Sequence, residues 1–151
     1  MQPYEDLIQQ LGAAIGVTLK ADTRQSCLIE FPGDNVKLQV DLDSSGERVL
    51  VGTQLGELIS GVRRESILMQ GLKVNSLPRS RCGILAYSEK NNTLVLFQYL
   101  PLASIDGTKL HSFLQLFVEH ARLWKESLKE GRVPPIEGEE TIKTRSGMLG
   151  L

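Results

Sequence analysis

Apolar positions between residues 3 and 15 recur at helical spacing. Tyr4, Leu7, Ile8, Leu11, Ala14 and Ile15 form one stripe, which predicts an amphipathic helix. Pro3 suits its first turn, Glu5 and Asp6 complement the positive end of its dipole, and Gly16 is placed to stop it. The period then changes from helical to two. Ser26 to Phe31 is a short, mostly apolar run. Beyond the turn Pro32–Gly33–Asp34–Asn35, Val36, Leu38, Val40 and Leu42 alternate with Lys37, Gln39, Asp41 and Asp43. Strict alternation is the mark of a half-buried antiparallel strand. Ser44–Ser45–Gly46 turns the chain into a third strand from Arg48 to Gly52, completing a meander.

Helical spacing returns from about Ser60 to Asn75, with Val62, Ile67, Leu68, Met69, Leu72 and Val74 on a broad face, although Gly61 and Gly71 weaken that helix. A hairpin follows: Cys82 to Tyr87, a turn at Glu89–Lys90–Asn91–Asn92, then Thr93 to Leu100. In the second of these strands Leu94, Leu96 and Leu100 face one way and Val95, Phe97 and Tyr99 the other. An apolar pair of faces predicts cover on both sides, by the chain's own helices and by a partner. The strongest helix runs from Gly107 to Glu130, with Asp106 as N-cap, Gly131 as stop, and Leu110, Phe113, Leu114, Phe117, Ala121, Trp124 and Leu128 in its stripe. The order α-β-β-β-α-β-β-α predicts an α+β fold, a twisted antiparallel sheet with flanking helices. One domain is expected over residues 1–133, and the polar stretch 134–151, ending in Met148, Leu149 and Leu151, is expected to be a flexible tail that adds little burial.

Composition narrows the function. The 151 residues are 41% hydrophobic and 23% charged with a net charge of −1, so no basic field invites nucleic acid or anionic lipid. The loose cluster Arg63, Arg64, Arg79 and Arg81 reads as solvated surface. No apolar run reaches the ~20 residues that span a bilayer, and the N-terminus lacks a signal-peptide pattern. A cytoplasmic protein is expected. Catalytic signatures are thin: there is no phosphate-binding glycine loop, dinucleotide fingerprint or nucleophile elbow. Cys27 and Cys82, the two cysteines, lie in apolar strand-like runs and read as buried small hydrophobes. His111 and His120 are nine apart on one helix, on opposite sides of its axis, and read as surface residues that cannot share a metal. Asp41 and Asp43 share a strand face that also carries Lys37 and Gln39, which is a solvent face rather than an acid–base pair. No catalytic residue, metal or cofactor is expected.

What remains unexplained is apolar surface. Leu116 and Leu123 lie off the main stripe of the last helix, and the fifth strand is apolar on both faces. Such patches mark interaction surfaces.

Several stretches together resemble a known family. They are YEDLIQQLGAAIGV at the start, SCLIEFPGDNVKLQVDL in the meander, GTQLGEL before the middle helix, GILAYSEKNNTLVLFQYLPL in the hairpin, and LPLASIDGTKLHSFLQLFVEHARLWKESL at the end. Over residues 3 to 131 the chain is similar to the class I (CesT/SycE-like) chaperones of bacterial type III secretion. The resemblance implies a non-enzymatic bacterial cytoplasmic protein. Such a chaperone binds the N-terminal segment of one or more secreted effectors in extended form, keeps them secretion-competent and aids their delivery to the export apparatus, whose ATPase is a further expected partner. It implies a homodimer, or a heterodimer with a related chaperone, with neither nucleic acid nor membrane insertion involved. Two departures are that family members are typically strongly acidic where this chain is nearly neutral, and that their acidic tail is replaced by a balanced polar one. The competing class is a small regulatory scaffold that binds a partner constitutively.

Expected effector contacts are Leu7, Ile8 and Leu11 on the first helix and Leu28, Val36, Leu38 and Val40 in the meander. Side chains would fill apolar grooves while an extended segment adds to a sheet edge. By the same resemblance the middle helix forms a two-fold interface through Val62, Ile67, Met69 and Leu72.

Overall fold

The structure, a computed structural model, describes residues 3–77 and 82–135. Its elements are α1 (Pro3–Ile15), β1 (Ser26–Phe31), β2 (Val36–Leu42), β3 (Arg48–Glu57), α2 (Val62–Asn75), β4 (Ile84–Ser88), β5 (Thr93–Pro101), a 3-10 turn over Leu102–Ser104, and α3 (Gly107–Glu130). The five strands form one antiparallel sheet in the order β1-β2-β3-β5-β4. The predicted α+β order holds. The third strand runs five residues beyond Gly52, because a bulge between Gln54 and Gly56 re-aims the chain without ending its pairing with β5.

Alternation decides which side chains reach the core. Cys27, Ile29, Val36, Leu38, Val40, Val49, Val51, Leu85, Leu94 and Leu96 point to one face, where Leu110, Leu114, Phe117, Ala121 and Trp124 of α3 meet them, with Tyr4, Leu7, Ile8 and Leu11 of α1 alongside. α2 lies on the same side of the sheet: at Gly71 its backbone passes close to Leu85 and to the Trp124 ring. All three helices therefore share one face. The chain's own helices cover β5 on the side of Leu94 and Leu96, and among the described residues no helix crosses to the other side.

Local chemistry fixes the helix ends. The Asp106 carboxylate accepts from the Lys109 amide at 2.8 Å as N-cap. Gly131 ends α3 in the left-handed region at φ 68°, with its amide and that of Arg132 returning to Leu128 and Ser127. Gly107 is a glycine because of a close approach: a Cβ there would stand 2.4 to 2.8 Å from atoms of Gln10, whose side chain accepts from the Gly107 amide at 2.9 Å. That crossing seats α1 against the start of α3. At the other end of α3, Lys125 donates to the Asn35 carbonyl at 2.6 Å and Arg122 sits 3.6 Å from Asp34, which ties the helix to the β1–β2 turn.

Folded structure continues to the first residues of the expected tail. Pro134 is buried, and its carbonyl accepts from the Gln70 side chain at 2.7 Å. The remainder of that stretch, with Met148, Leu149 and Leu151, lies outside the described residues.

Two side chains that bond to distant backbone, Tyr4 and Asn75, give direct tests. The Tyr4 hydroxyl donates to the Val40 carbonyl at 2.6 Å, and burial foremost pushes its phenol above the usual range, so it stays a donor at every physiological pH. Tyr4→Phe leaves that carbonyl without its partner and is expected to cost about 1–3 kcal/mol in urea unfolding, whereas Leu28→Ala on the open face should change stability by less than about 0.5 kcal/mol. Asn75 holds β4 from outside the sheet: it donates to the Leu85 carbonyl at 2.8 Å and accepts from the Leu85 amide at 2.9 Å. Asn75→Ala should lower stability by about 1–2 kcal/mol and raise the tendency to associate through β4, seen as larger species by light scattering.

Candidate functional site: the open face of the sheet

On the face away from the helices, one row of cross-strand neighbours spans the whole sheet. Leu28 stands opposite Gln39, Gln39 opposite Gly52, Gly52 opposite Phe97, and Phe97 opposite Ile84. Gly52 has no side chain, so the row dips at its centre into a groove of about 530 Å³ flanked by Leu28, Lys37, Gln39, Gln54, Val95 and Phe97. A Cβ at Gly52 would meet only ordinary contacts, 3.9 Å from the Leu96 carbonyl and 4.0 Å from Phe97. The groove is therefore open space that the backbone could fill at little strain. Towards β4 it is bordered by half-buried Ile84 and Ala86. Beside it Tyr99 meets Phe97 edge-on at 6.1 Å and carries the Arg48 guanidinium over its ring at 3.8 Å.

The two sheet edges differ. At β1 the Ser26 amide and carbonyl point outward, to the Asp22 carboxylate and the Asp22 amide. Alternation then puts the outward backbone groups of Leu28 and Glu30 on the open edge, while Cys27, Ile29 and Phe31 pair with β2. Leu28 is 56% exposed, so its side chain and its backbone are both presented to a partner. At β4 the outward groups of Leu85 are taken by Asn75. The β1 edge is open at Leu28 and Glu30, and the β4 edge is blocked at Leu85.

The expected contact residues divide accordingly. Leu7, Ile8, Leu11, Val36, Leu38 and Val40 lie in the core between α1, α3 and the sheet, because the apolar stripe of α1 has its own sheet and helix to pack on. Leu28 alone of the seven is at the surface. On α2, Ile67 turns inward, whereas Met69 and Leu72 are 53% and 66% exposed, and the Val62 side chain lies outside the described residues. Leu116 is also exposed, and Leu123 is half-buried. Gly52 and Asn75 escaped the sequence reading. Gly52 sat in a strand whose pairing partners were unknown, and Asn75 does its work on a strand ten residues away.

Candidate chemistry resolves into structure. Burial pushes both the Cys27 and Cys82 thiols up, which disfavours thiolate at neutral pH. His120 is not a solvated surface residue: it is half-buried, and its Nδ1 lies 2.8 Å from the Cys82 carbonyl. Asp41 holds the Ser26 hydroxyl. The Ser45 hydroxyl, followed by Arg48, holds the Asp43 carboxyl below the usual carboxylate range. Arg64 serves the fold by donating to the Leu58 carbonyl, the Asn92 side chain and the Tyr87 hydroxyl, while Arg79 and Arg81 lie outside the described residues. Among the described residues no three His, Cys, Asp or Glu side chains cluster to hold a metal ion, and no helix is long and apolar enough to cross a membrane. The arrangement is suited to docking an extended chain.

Residues 6–125 match the profile of the Tir chaperone protein (CesT) family. No curated protein matches the chain by sequence. Among solved structures, the chain is similar to one from the HopA1–SchA chaperone–effector complex, with a TM-score of 0.68 and 21% identity over 82% of this chain and 94% of that one. It is similar to the Yersinia pestis type III secretion chaperone SycH, solved in complex with a stable fragment of YscM2, with a TM-score of 0.65 and 15% identity over 78% of this chain and 96% of that one. A chain of the heterodimeric ExoU–SpcU complex from the type III secretion system of Pseudomonas aeruginosa gives a TM-score of 0.65 and 21% identity over 82% and 98% of the two chains. At these identities the structural likeness is one of fold. With the family profile matched over most of its length, the chain belongs to the Tir chaperone protein (CesT) family.

Proposed function

We propose that this chain is a type III secretion chaperone that works in the bacterial cytoplasm, without catalysis, by holding the N-terminal segment of a secreted effector in extended form. The observation that carries the reading is the open sheet face with its open β1 edge. Leu28 and Glu30 offer backbone groups for one added strand, and the groove at Gly52 offers an apolar floor between Leu28 and Phe97 for its side chains. Backbone pairing gives affinity that tolerates different sequences, and ordering a flexible segment moderates that affinity so that release remains accessible. The family supports the reading, and so do chaperone–effector complexes among its structural neighbours.

The effector contacts we propose are Leu28 and the groove residues, with the core positions Leu7, Ile8, Leu11, Val36, Leu38 and Val40 shaping that surface from beneath. The pairing surface we propose for a second copy, or for a related chaperone, is the outer side of α2 around Met69 and Leu72. Asn75 closes the adjoining β4 edge, so association there uses helix side chains rather than strand pairing. Hand-over to the ATPase of the export apparatus completes the scheme.

Gly52→Val is the sharpest test, because it fills the groove at a strand position where valine is favoured and space exists. Purified from the native host, the wild-type chain should carry a secreted protein whose binding maps to its N-terminal segment. The folded Gly52→Val variant should bind that segment at least about tenfold more weakly, which is about 1.4 kcal/mol. Equal affinity would remove the groove from the site. Met69→Glu should weaken self-association by about 2 kcal/mol or more in sedimentation equilibrium, and a wild-type chain that stays monomeric at micromolar concentration would exclude the α2 interface.

A further inference from the structure

The groove at Gly52 runs into a parting of the sheet. The β2–β3 ladder stops at the pair Gln39–Gly52, beyond which β2 continues back to Val36 and β3 on to Glu57 without pairing with each other. The Thr53 hydroxyl donates to the Lys37 carbonyl at 2.7 Å, where a ladder bond would otherwise run. Asn35, Lys37, Thr53 and Gln54 line the groove at this end.

Its charge is one-sided. Among the described residues that line the groove, the two charged ones are both cations, Lys37 and Lys125. Lys125 belongs to α3, on the helix side of the sheet, and its long side chain reaches the Asn35 carbonyl at 2.6 Å. It is half-buried and pairs with no carboxylate among the described residues. A carbonyl takes one of its three donors and leaves its charge uncompensated. Lys37 stands opposite Glu30 with 3.8 Å between the charged groups, a pair so open to water that it holds Lys37 weakly. The other acid nearby, Asp34, sits against Arg122.

Charge and hollow are in step. Lys37 lies two residues along β2 from Gln39, the residue opposite Gly52, so both project on the open face about 7 Å apart. An extended segment lying along the strands has the same two-residue step on its own face.

We propose that Lys37 and Lys125 make the groove selective for an effector segment with an aspartate or glutamate two places from a large apolar residue. The apolar side chain fills the space above Gly52 and the carboxylate lies against the two ammonium groups. This rests on the effector reading above and adds to it the charge of the segment. A carboxylate that displaces water from the groove compensates the half-buried cation, and the same wall repels a lysine or arginine in its place.

Selection from a phage-displayed library of random linear peptides tests it. Parallel selections use the full-length wild-type chain, Lys37→Gln and Lys125→Met, after circular dichroism confirms folding. Lys37→Gln, at an exposed strand position, keeps the comparison sound should Lys125→Met loosen the β1–β2 turn. Peptides enriched on wild type should carry an acid two places from a large apolar residue, and those enriched on the variants should keep the apolar residue and lose the acid. Replacing the acid of a selected peptide by its amide should weaken binding to wild type about tenfold in fluorescence anisotropy, and salt should shrink that difference. Apolar enrichment without an acid, or with lysine or arginine in its place, would overturn this inference and leave the effector reading standing. An acid preference unchanged in both variants would do the same. Failure of the wild-type chain to enrich any apolar peptide would overturn both.

Discussion

One constraint shapes the surface of this molecule: a five-stranded sheet whose three described helices all pack on the same face. The stripe of α3, from Leu110 to Trp124, is long enough to bury the inner side chains of four neighbouring strands, and α1 and α2 fill in at its flanks. Among the described residues no further helix covers the other side. Leu28, Leu50, Val95, Phe97 and Tyr99 are left there, partly shielded by one another and by the Arg48 guanidinium. The fold is stable with that face bare, but it leaves apolar area that only another chain can bury.

The sequence carried the elements well and the surfaces poorly, for a physical reason. Periodicity reports which side chains of one element share a face, and so the stripes of α1 and α3, the alternation of β2 and the caps Asp106 and Gly131 were all legible. Periodicity does not say whether a face meets its own chain or another. Leu7, Ile8 and Leu11 look the same in sequence whether they line a groove or fill a core, and only the approach of α3 at Gly107 shows them buried. Leu28 is the converse: it sits in a short, mostly apolar run between buried Cys27 and Ile29, and alternation turns it onto the sheet face that no described helix covers. Strand order was the missing quantity. The dip at Gly52 exists only because Gln39 and Phe97 flank it, and that adjacency is set by the crossover that brings β5 beside β3.

The same limit applies to polar residues. His120 and Arg64 read as surface charges, and the structure spends both on backbone carbonyls that loops leave unpaired, those of Cys82 and Leu58. Gln70 of α2 is the clamp on Pro134. Buried polar groups need partners, and the partners here are distant in sequence.

The Asn75–Leu85 clasp has one more consequence, for how far assembly can go. A sheet with two open edges can add copies of itself head to tail without limit, since each addition regenerates the edge it consumes. Here the second residue of the five-residue strand β4, Leu85, already has its outward hydrogen bonds satisfied by a side chain, so an incoming strand meets an interrupted edge. Addition at β1 then leaves at the far side only an edge interrupted at Leu85. A chain with one bare strand edge and one interrupted edge is thereby made a poor substrate for its own polymerisation.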